Sequence, residues 1–219
     1  MILGLAGKAL SGKDTIADYV LNAHGWDRKV GFATNLKVAC MEIFSLTEEQ
    51  VFSQQGKSSK FTSPVVIEHK TLLEIIGWMR KTHDVALQNK SYKHLYGRKM
   101  NSPRDVLQFV GTEVMRYYAP DYHKEVVFRG VCPNEKVIIS DVRFPNEALS
   151  VLENNGILVK VTRRDSLRTP QGFSLDTGHD SETALNEWGN WSYIIKNDGS
   201  FIDLYEDIDK MILDIGDVK

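Results

Sequence analysis

MILGLAGKALSGKDTIADY, residues 1–19, is the stretch that decides how the chain is read. Ile2, Leu3 and Leu5 form a short apolar run of the kind a buried parallel strand requires. Gly7-Lys8-Ala9-Leu10-Ser11-Gly12-Lys13 then gives the spacing G-x-x-x-x-G-K of a Walker A loop. Successive backbone N–H groups in such a loop point inward at phosphate oxygens, a geometry that depends on glycine. The helix that follows presents the positive end of its dipole at the same spot, and Lys13 adds a mobile point charge for the β and γ phosphates. Gly7, Lys8, Ser11, Gly12 and Lys13 are therefore candidate phosphate ligands.

One letter departs from the pattern. The motif ends in Ser or Thr, whose hydroxyl binds magnesium, but here Asp14 holds that place and Thr15 follows. Either could serve the metal. A carboxylate beside a triphosphate is tolerable only near the metal or a compensating cation such as Lys13 or an arginine.

Outward from this loop, 219 residues are enough for a full α/β core in one domain with an inserted lid. An apolar content of 42% and a charged content of 26% are those of a soluble globular chain, and the net charge of −2 argues against a general nucleic-acid coat. Cys40 and Cys132 lie far apart and form no C-x-x-C pair, which suggests packed thiols in a reducing compartment. The first residues lack the basic region and cleavage site of a leader, and no stretch approaches the ~18 apolar residues of a membrane helix. The chain therefore reads as cytoplasmic (host cytoplasm if phage-encoded), without direct nucleic-acid or membrane binding.

The spacing predicts a helix over 14–23, a strand over 26–33 and a helix over 35–44. Thr47 with Gln50 forms a capping box, 54–64 reads as a mobile surface loop, and 68–80 as a helix. Residues 81–101 carry five Lys or Arg against Asp84; a lid or binding loop and a plain solvated loop are equally open there. Ser102-Pro103 starts a helix that continues through Met115, and 121–130 is another. Val137-Ile138-Ile139 is the clearest internal strand, followed by a helix over 146–155 and a strand over 157–162. A loop over 165–178, a short helix over 181–187 capped by Ser181 or Asp180, a strand over 191–196 and an amphipathic helix over 201–215 complete the pattern. Alternation of strand and helix implies a mostly parallel sheet covered on both faces.

Asp141 ends its buried strand, at the sheet edge where α/β proteins bind ligands, and is a candidate magnesium ligand beside Asp14 and Thr15. Arg143 lies two residues on, where it could reach the same crevice. Arg104 and Gln108 are four apart and share a helix face, with Arg116 near that face two turns later; such a face could take a planar base together with a phosphate. Gly111-Thr112 interrupts that otherwise apolar helix. Arg163 and Arg164 enter the 165–178 loop, where an arginine could close over a transferring phosphate.

GKALSGKDTIADYV, FATNLK, RDVLQFVGTEVMR, VIISDVRFPNEA and HDSETAL together resemble the bacteriophage-type deoxynucleoside monophosphate kinases, from Leu3 to about Leu185. GKDT looks like that family's own ending of the loop. The resemblance implies a P-loop NTPase three-layer sandwich, an α/β fold with a central, mostly parallel five-stranded sheet. It further implies a helical acceptor-binding or lid insertion at 47–101 and a lid loop at 164–180. It implies ATP as phosphate donor, Mg2+, and small-molecule nucleotides as partners. Gly7, Gly12, Lys13, Asp14 and Thr15 match the ATP-phosphate site, Lys37 the acceptor-side lysine, and Arg104, Gln108 and Arg116 the acceptor helix. Arg143 matches the arginine beside the strand-end acid, and either Arg163 or Arg164 a lid arginine, with Arg164 taken beside Lys13, Arg116 and Arg143 as the catalytic set. Ser181 and Glu182 match an S-E pair to which the residues alone attach no chemical role. The expected activity is transfer of the γ-phosphate of ATP to a deoxynucleoside monophosphate, supplying DNA precursors. A P-loop kinase for another phosphorylated acceptor such as phosphomevalonate, or an ATP-binding regulatory module, are the alternatives. A homodimer is left open.

Overall fold

A computed structural model describes residues 1–83, 86–165 and 178–217. The chain forms two compact units, Met1–Phe32 with Gly130–Lys219, and Ala33–Arg129.

The first unit is built on a five-stranded, all-parallel sheet. Its strands are β1 (Ile2–Ala6), β2 (Arg28–Val30), β5 (Val137–Val142), β6 (Ile157–Thr162) and β7 (Tyr193–Lys196), in the order β2-β5-β1-β6-β7. β1 is central and buried throughout, which is why its residues read as a continuous apolar run rather than an alternation. On one face lie α1 (Lys13–Ala23) and the C-terminal helix α10 (Phe201–Asp217). Ile16, Ala17 and Val20 of α1 and Leu204, Ile208, Met211 and Ile215 of α10 pack with Leu3, Leu5, Val159 and Val161. On the other face α8 (Pro145–Glu153) lies so close that a Cβ on Gly4 would sit 2.9 Å from Val151 Cγ2. Helices on both faces make the three layers.

The pairing of β1 with β5 slips between Gly4 and Ala6: Gly4 faces Ile139 but Ala6 faces Val142. β5 thus carries one extra residue at Ser140-Asp141. Such an irregularity re-aims a side chain. The Asp141 carboxylate accepts a hydrogen bond from Phe32 N at 2.6 Å, and a Cβ on Gly31 would meet it at 2.9 Å.

The second unit is helical, with α2 (Thr34–Phe44), α3 (Glu48–Phe52), α4 (Gln54–Ser58), α5 (His69–His83), α6 (Pro103–Gln108) and α7 (Tyr122–Arg129). A two-stranded antiparallel ribbon joins β3 (Val65–Val66) to β4 (Lys99–Met100). The unit has its own core, including Leu36, Leu72, Ile75, Met79, Val106 and Val110. The Thr47–Gln50 capping box forms in both directions, at 2.9 and 3.2 Å.

The helical unit, Ala33–Arg129, takes in α2 and the 103–129 helices as well as 47–101. Several expectations are corrected. The stretch 54–64 is not simply a loop: Ser53 caps α4 and Gly56 packs so tightly that a Cβ would meet Glu49 O at 2.2 Å. The second strand is Arg28–Val30 only, and the last begins at Tyr193. The helix predicted to run through Met115 changes to π-helical at Phe109–Arg116. Gly111 falls there because a Cβ would stand 2.7 Å from Leu36 Cδ2. The short helix is α9 (Asp180–Thr183), and its cap is His179, whose Nδ1 accepts from Ser181 N, instead of Ser181 or Asp180.

Within the basic segment 81–101, Leu95 is buried and Lys90 Nζ donates to Tyr117 O, so the described part is tied to its unit. Residues 84–85 of it, and 166–177 of the 164–180 loop, lie outside the described residues. Among the described residues, no helix is long and apolar enough to cross a membrane.

Candidate active site

The loop between β1 and α1, the candidate phosphate cradle, turns through residues of positive φ. Gly7 has φ +154° and Gly12 φ +102°, and between them Leu10 takes the left-handed value of 61°. A Cβ at Gly7 would fall 2.4 Å from Val161 O, and one at Gly12 would fall 2.2 Å from Asn197 Nδ2. Both glycines are therefore dictated by space as well as by φ. Asn197, buried just after β7, holds the loop from behind by donating Nδ2 to Ser11 O at 2.9 Å. Ser11 Oγ is buried with no hydrogen-bond partner among the described residues.

Lys13 is buried at the start of α1, and its Nζ donates to Gly7 O at 2.8 Å and Lys8 O at 2.9 Å. Burial and the nearby Arg143 guanidinium pull its pKa down to about 7, while Glu182, Asp14 and Asp141 work the other way. A phosphate arriving beside this desolvated amine would favour its protonated form.

Arg143 is fixed at both ends. Its backbone N donates to Glu147 Oε2 at 2.8 Å, as does Phe144 N at 3.1 Å, where Glu147 sits in the first turn of α8. Its guanidinium pairs with Glu182 and donates to Ser181 O at 3.1 Å. The other oxygen of Glu182 accepts from Ala9 N, at the apex of the cradle, at 2.8 Å.

Gly7, Lys8 and Ser11 line a cavity of about 400 Å³ together with Arg143, Arg163 and Glu182. Its other walls include Lys160, Leu185 and Trp191, with the Lys160 ammonium 5.4 Å from the Trp191 ring centre. The volume is that of a small-molecule site. Of Arg163 and Arg164, the first is thus the one that lines the cavity. Arg164 is exposed and engages Asp198, through its backbone N at 2.7 Å and its Nε at 3.5 Å.

The remaining candidates fall as follows. Asp14 is exposed, with Lys29 Nζ 3.3 Å away, so the nearest compensating cation is Lys29 of β2, which the sequence reading passed over. Thr15 is half-buried in α1, one residue beyond it. Lys37, Arg104, Gln108 and Arg116 belong to the second unit. There Lys37 Nζ stands 4.5 Å from the Phe52 ring centre, and Arg104 donates to Gln54 Oε1 at 3.1 Å and Ser58 Oγ at 3.3 Å. Gln108 ends α6 and Arg116 ends the π-helical segment, so the π turn between them changes their relative phase from that of a continuous α-helix.

The chain is 29% identical over 222 residues to a protein of Acanthamoeba polyphaga mimivirus named deoxynucleotide monophosphate kinase, covering 95% of this chain and 94% of that one. The deoxynucleoside-5'-monophosphate kinase of Escherichia phage T5 is 24% identical over 217 residues, covering 84% of this chain and 85% of its own. This chain is a kinase, related to those two. No family model matches. Among solved structures, the dephospho-CoA kinase from Campylobacter jejuni aligns over 98% of this chain and 96% of its own, with a TM-score of 0.48 and 15% identity.

Two residues beside the candidate site, Asn197 and Glu147, were missed in the sequence, and a third, Glu182, had no role there. Asn197 could have been found as a polar residue ending the last apolar strand, and Glu147 as the acid at the third position after Phe144-Pro145. Glu182 was noticed in its motif, but its partners, Ala9 and Arg143, are 173 and 39 residues away in the chain.

Proposed function

We propose that this kinase transfers the γ-phosphate of ATP to a deoxynucleoside monophosphate, forming the diphosphate. The observation that supports it most is the strained glycine cradle with the buried Lys13 at its mouth and a doubly anchored Arg143 beside it. That arrangement suits phosphates and little else, and both relatives carry the name of such a kinase.

In this reading Gly7, Lys8, Ser11, Gly12 and Lys13 hold the donor phosphates. Lys37, Arg104, Gln108 and Arg116 are the acceptor candidates, and Arg143 stabilises charge at the transferring group. Arg163 takes the lid role in place of Arg164, because it lines the cavity. The oxygen donors of Thr15 and Asp141 fit Mg2+, which is held in such enzymes by one or two protein oxygens plus phosphates and water. Among the described residues no cluster of three metal-binding side chains is found. Asp14, turned to Lys29, is the weaker ligand of the three. Bound Mg2+ would neutralise charge on the phosphates. A general base is unnecessary, since the acceptor's phosphate oxygen is already anionic and the protein supplies position and charge.

Coupled ADP-release measurements across deoxynucleoside monophosphates, ribonucleoside monophosphates and phosphomevalonate test this. Turnover is expected with deoxynucleoside monophosphates, and Lys13→Ala should reduce it by roughly 100-fold or more with an unchanged far-UV spectrum. No response to any nucleotide would refute the proposal. Turnover with phosphomevalonate alone would point to the other acceptor class, and slow hydrolysis without acceptor stimulation to a regulatory module.

A further inference from the structure

The S-E pair at Ser181-Glu182 has a place in the site that its sequence does not disclose. Glu182 lies on α9, a single short helix, and its side chain is only 9% exposed. One carboxylate oxygen receives the backbone N–H of Ala9 and the other the Arg143 guanidinium. The carbonyl of the preceding Ser181 takes the same Arg143 nitrogen, Nη1, at 3.1 Å. His179 stiffens the segment by accepting from Ser181 N at 3.1 Å.

We propose that Glu182 is a positioning residue of the kinase, which sets the direction of the Arg143 guanidinium and ties it to the apex of the phosphate cradle. This rests on the function proposed above. Arg143 has a long, rotatable side chain whose backbone is pinned by Glu147 and whose charged end would otherwise be free to sample several rotamers. A planar guanidinium serves a phosphate only when its fork faces the oxygens, so a fixed carboxylate behind it converts a flexible cation into an aimed one. Both oxygens of Glu182 are occupied, so its carboxylate cannot turn without releasing either the loop or the arginine. The bridge also makes the cradle apex and Arg143 move as one, across elements far apart in sequence.

Charge and shape can be separated by substitution. Glu182→Gln keeps an oxygen for Ala9 N–H but removes the charge from Arg143, and Glu182→Asp keeps the charge on a shorter arm. With ATP and a deoxynucleoside monophosphate, Glu182→Gln should lower kcat on the order of 10- to 100-fold, the cost of a misdirected catalytic group. ATP affinity by calorimetry should stay within about threefold. Glu182→Asp should recover part of kcat. In an Arg143→Ala background, Glu182→Gln should cost nothing further, because the residue acts through that arginine. A wild-type kcat in Glu182→Gln overturns the inference. So does an equal loss of ATP affinity, which would make Glu182 a support for the loop, and so does a cost that multiplies with Arg143→Ala. In each of these the wild-type enzyme still turns over and the proposed function stands. A wild-type enzyme inert toward every monophosphate removes the function and this inference together.

Discussion

Asn197 offers a direct measure of how far the cradle depends on residues outside its own motif. The Nδ2 of Asn197 donates to the carbonyl of Ser11 at 2.9 Å, in a position buried from solvent. Its backbone N stays bonded to Thr162 O at 2.8 Å, so β7 keeps its place in the sheet whatever the side chain. Asn197→Ala therefore removes one thing: the partner of a buried carbonyl beneath a loop already strained at Leu10, where φ is 61°. Leaving such an acceptor unmet costs about 2 kcal/mol, which for a chain of this length lowers Tm by roughly 4–8 °C. If the whole of that cost falls on the organised form of the loop, ATP affinity drops by up to about 30-fold. Asn197→Asp should be worse than alanine, because it sets a carboxylate oxygen against the Ser11 carbonyl and buries a charge. Thermal unfolding followed by circular dichroism and ATP titration by calorimetry give both numbers. A Tm within about 1 °C of wild type together with unchanged ATP affinity in Asn197→Ala would refute the reasoning.

Three further outcomes are expected. Gly31→Ala should fold, with the Asp141 carboxyl group, whose atoms are nearest the added Cβ at 2.9–3.2 Å, pushed aside; the displaced carboxylate should raise the Mg2+ concentration for half-maximal rate severalfold, and an unchanged Mg2+ titration would remove Asp141 from the metal site. Arg116→Ala should raise the acceptor KM or lower kcat while ATP binding holds; loss of ATP binding alone would reverse the assignment of sides. Cys40 is buried and its thiol is pushed well up by burial, whereas Cys132 is exposed. An alkylating reagent at neutral pH should therefore modify one thiol in the native protein and the second only after denaturation, and two fast equivalents would contradict the packing of α2.

Much of the parallel α/β plan was legible because its signals are local. An apolar run followed by G-x-x-x-x-G-K fixes a strand, a turn and a helix start within one stretch, and Thr47 with Gln50 closes its capping box over three residues. Where the reading failed, non-local packing was in control. The 54–64 stretch is rich in serine and lysine, yet Gly56 there fits against the backbone of Glu49 and a short helix forms. The 103–116 stretch reads as one apolar helix interrupted only at Gly111-Thr112, yet it is π-helical from Phe109 on, with Gly111 close against Leu36 of another helix.

By itself the sequence determined the central strand, the G-x-x-x-x-G-K turn with Lys13 at the helix start and the internal strand that carries Asp141, because each depends on residue types at short, fixed spacings; the kind of enzyme was legible only through the resemblance of several such stretches to a known family. Only the tertiary structure decided what surrounds them. It turned Asp14 to Lys29, set Arg163 rather than Arg164 on the cavity, placed Asn197 under the loop and closed Glu182 onto both Ala9 and Arg143. Those partners come together where the carboxyl ends of separate parallel strands meet. No spacing along the chain encodes which of them will touch.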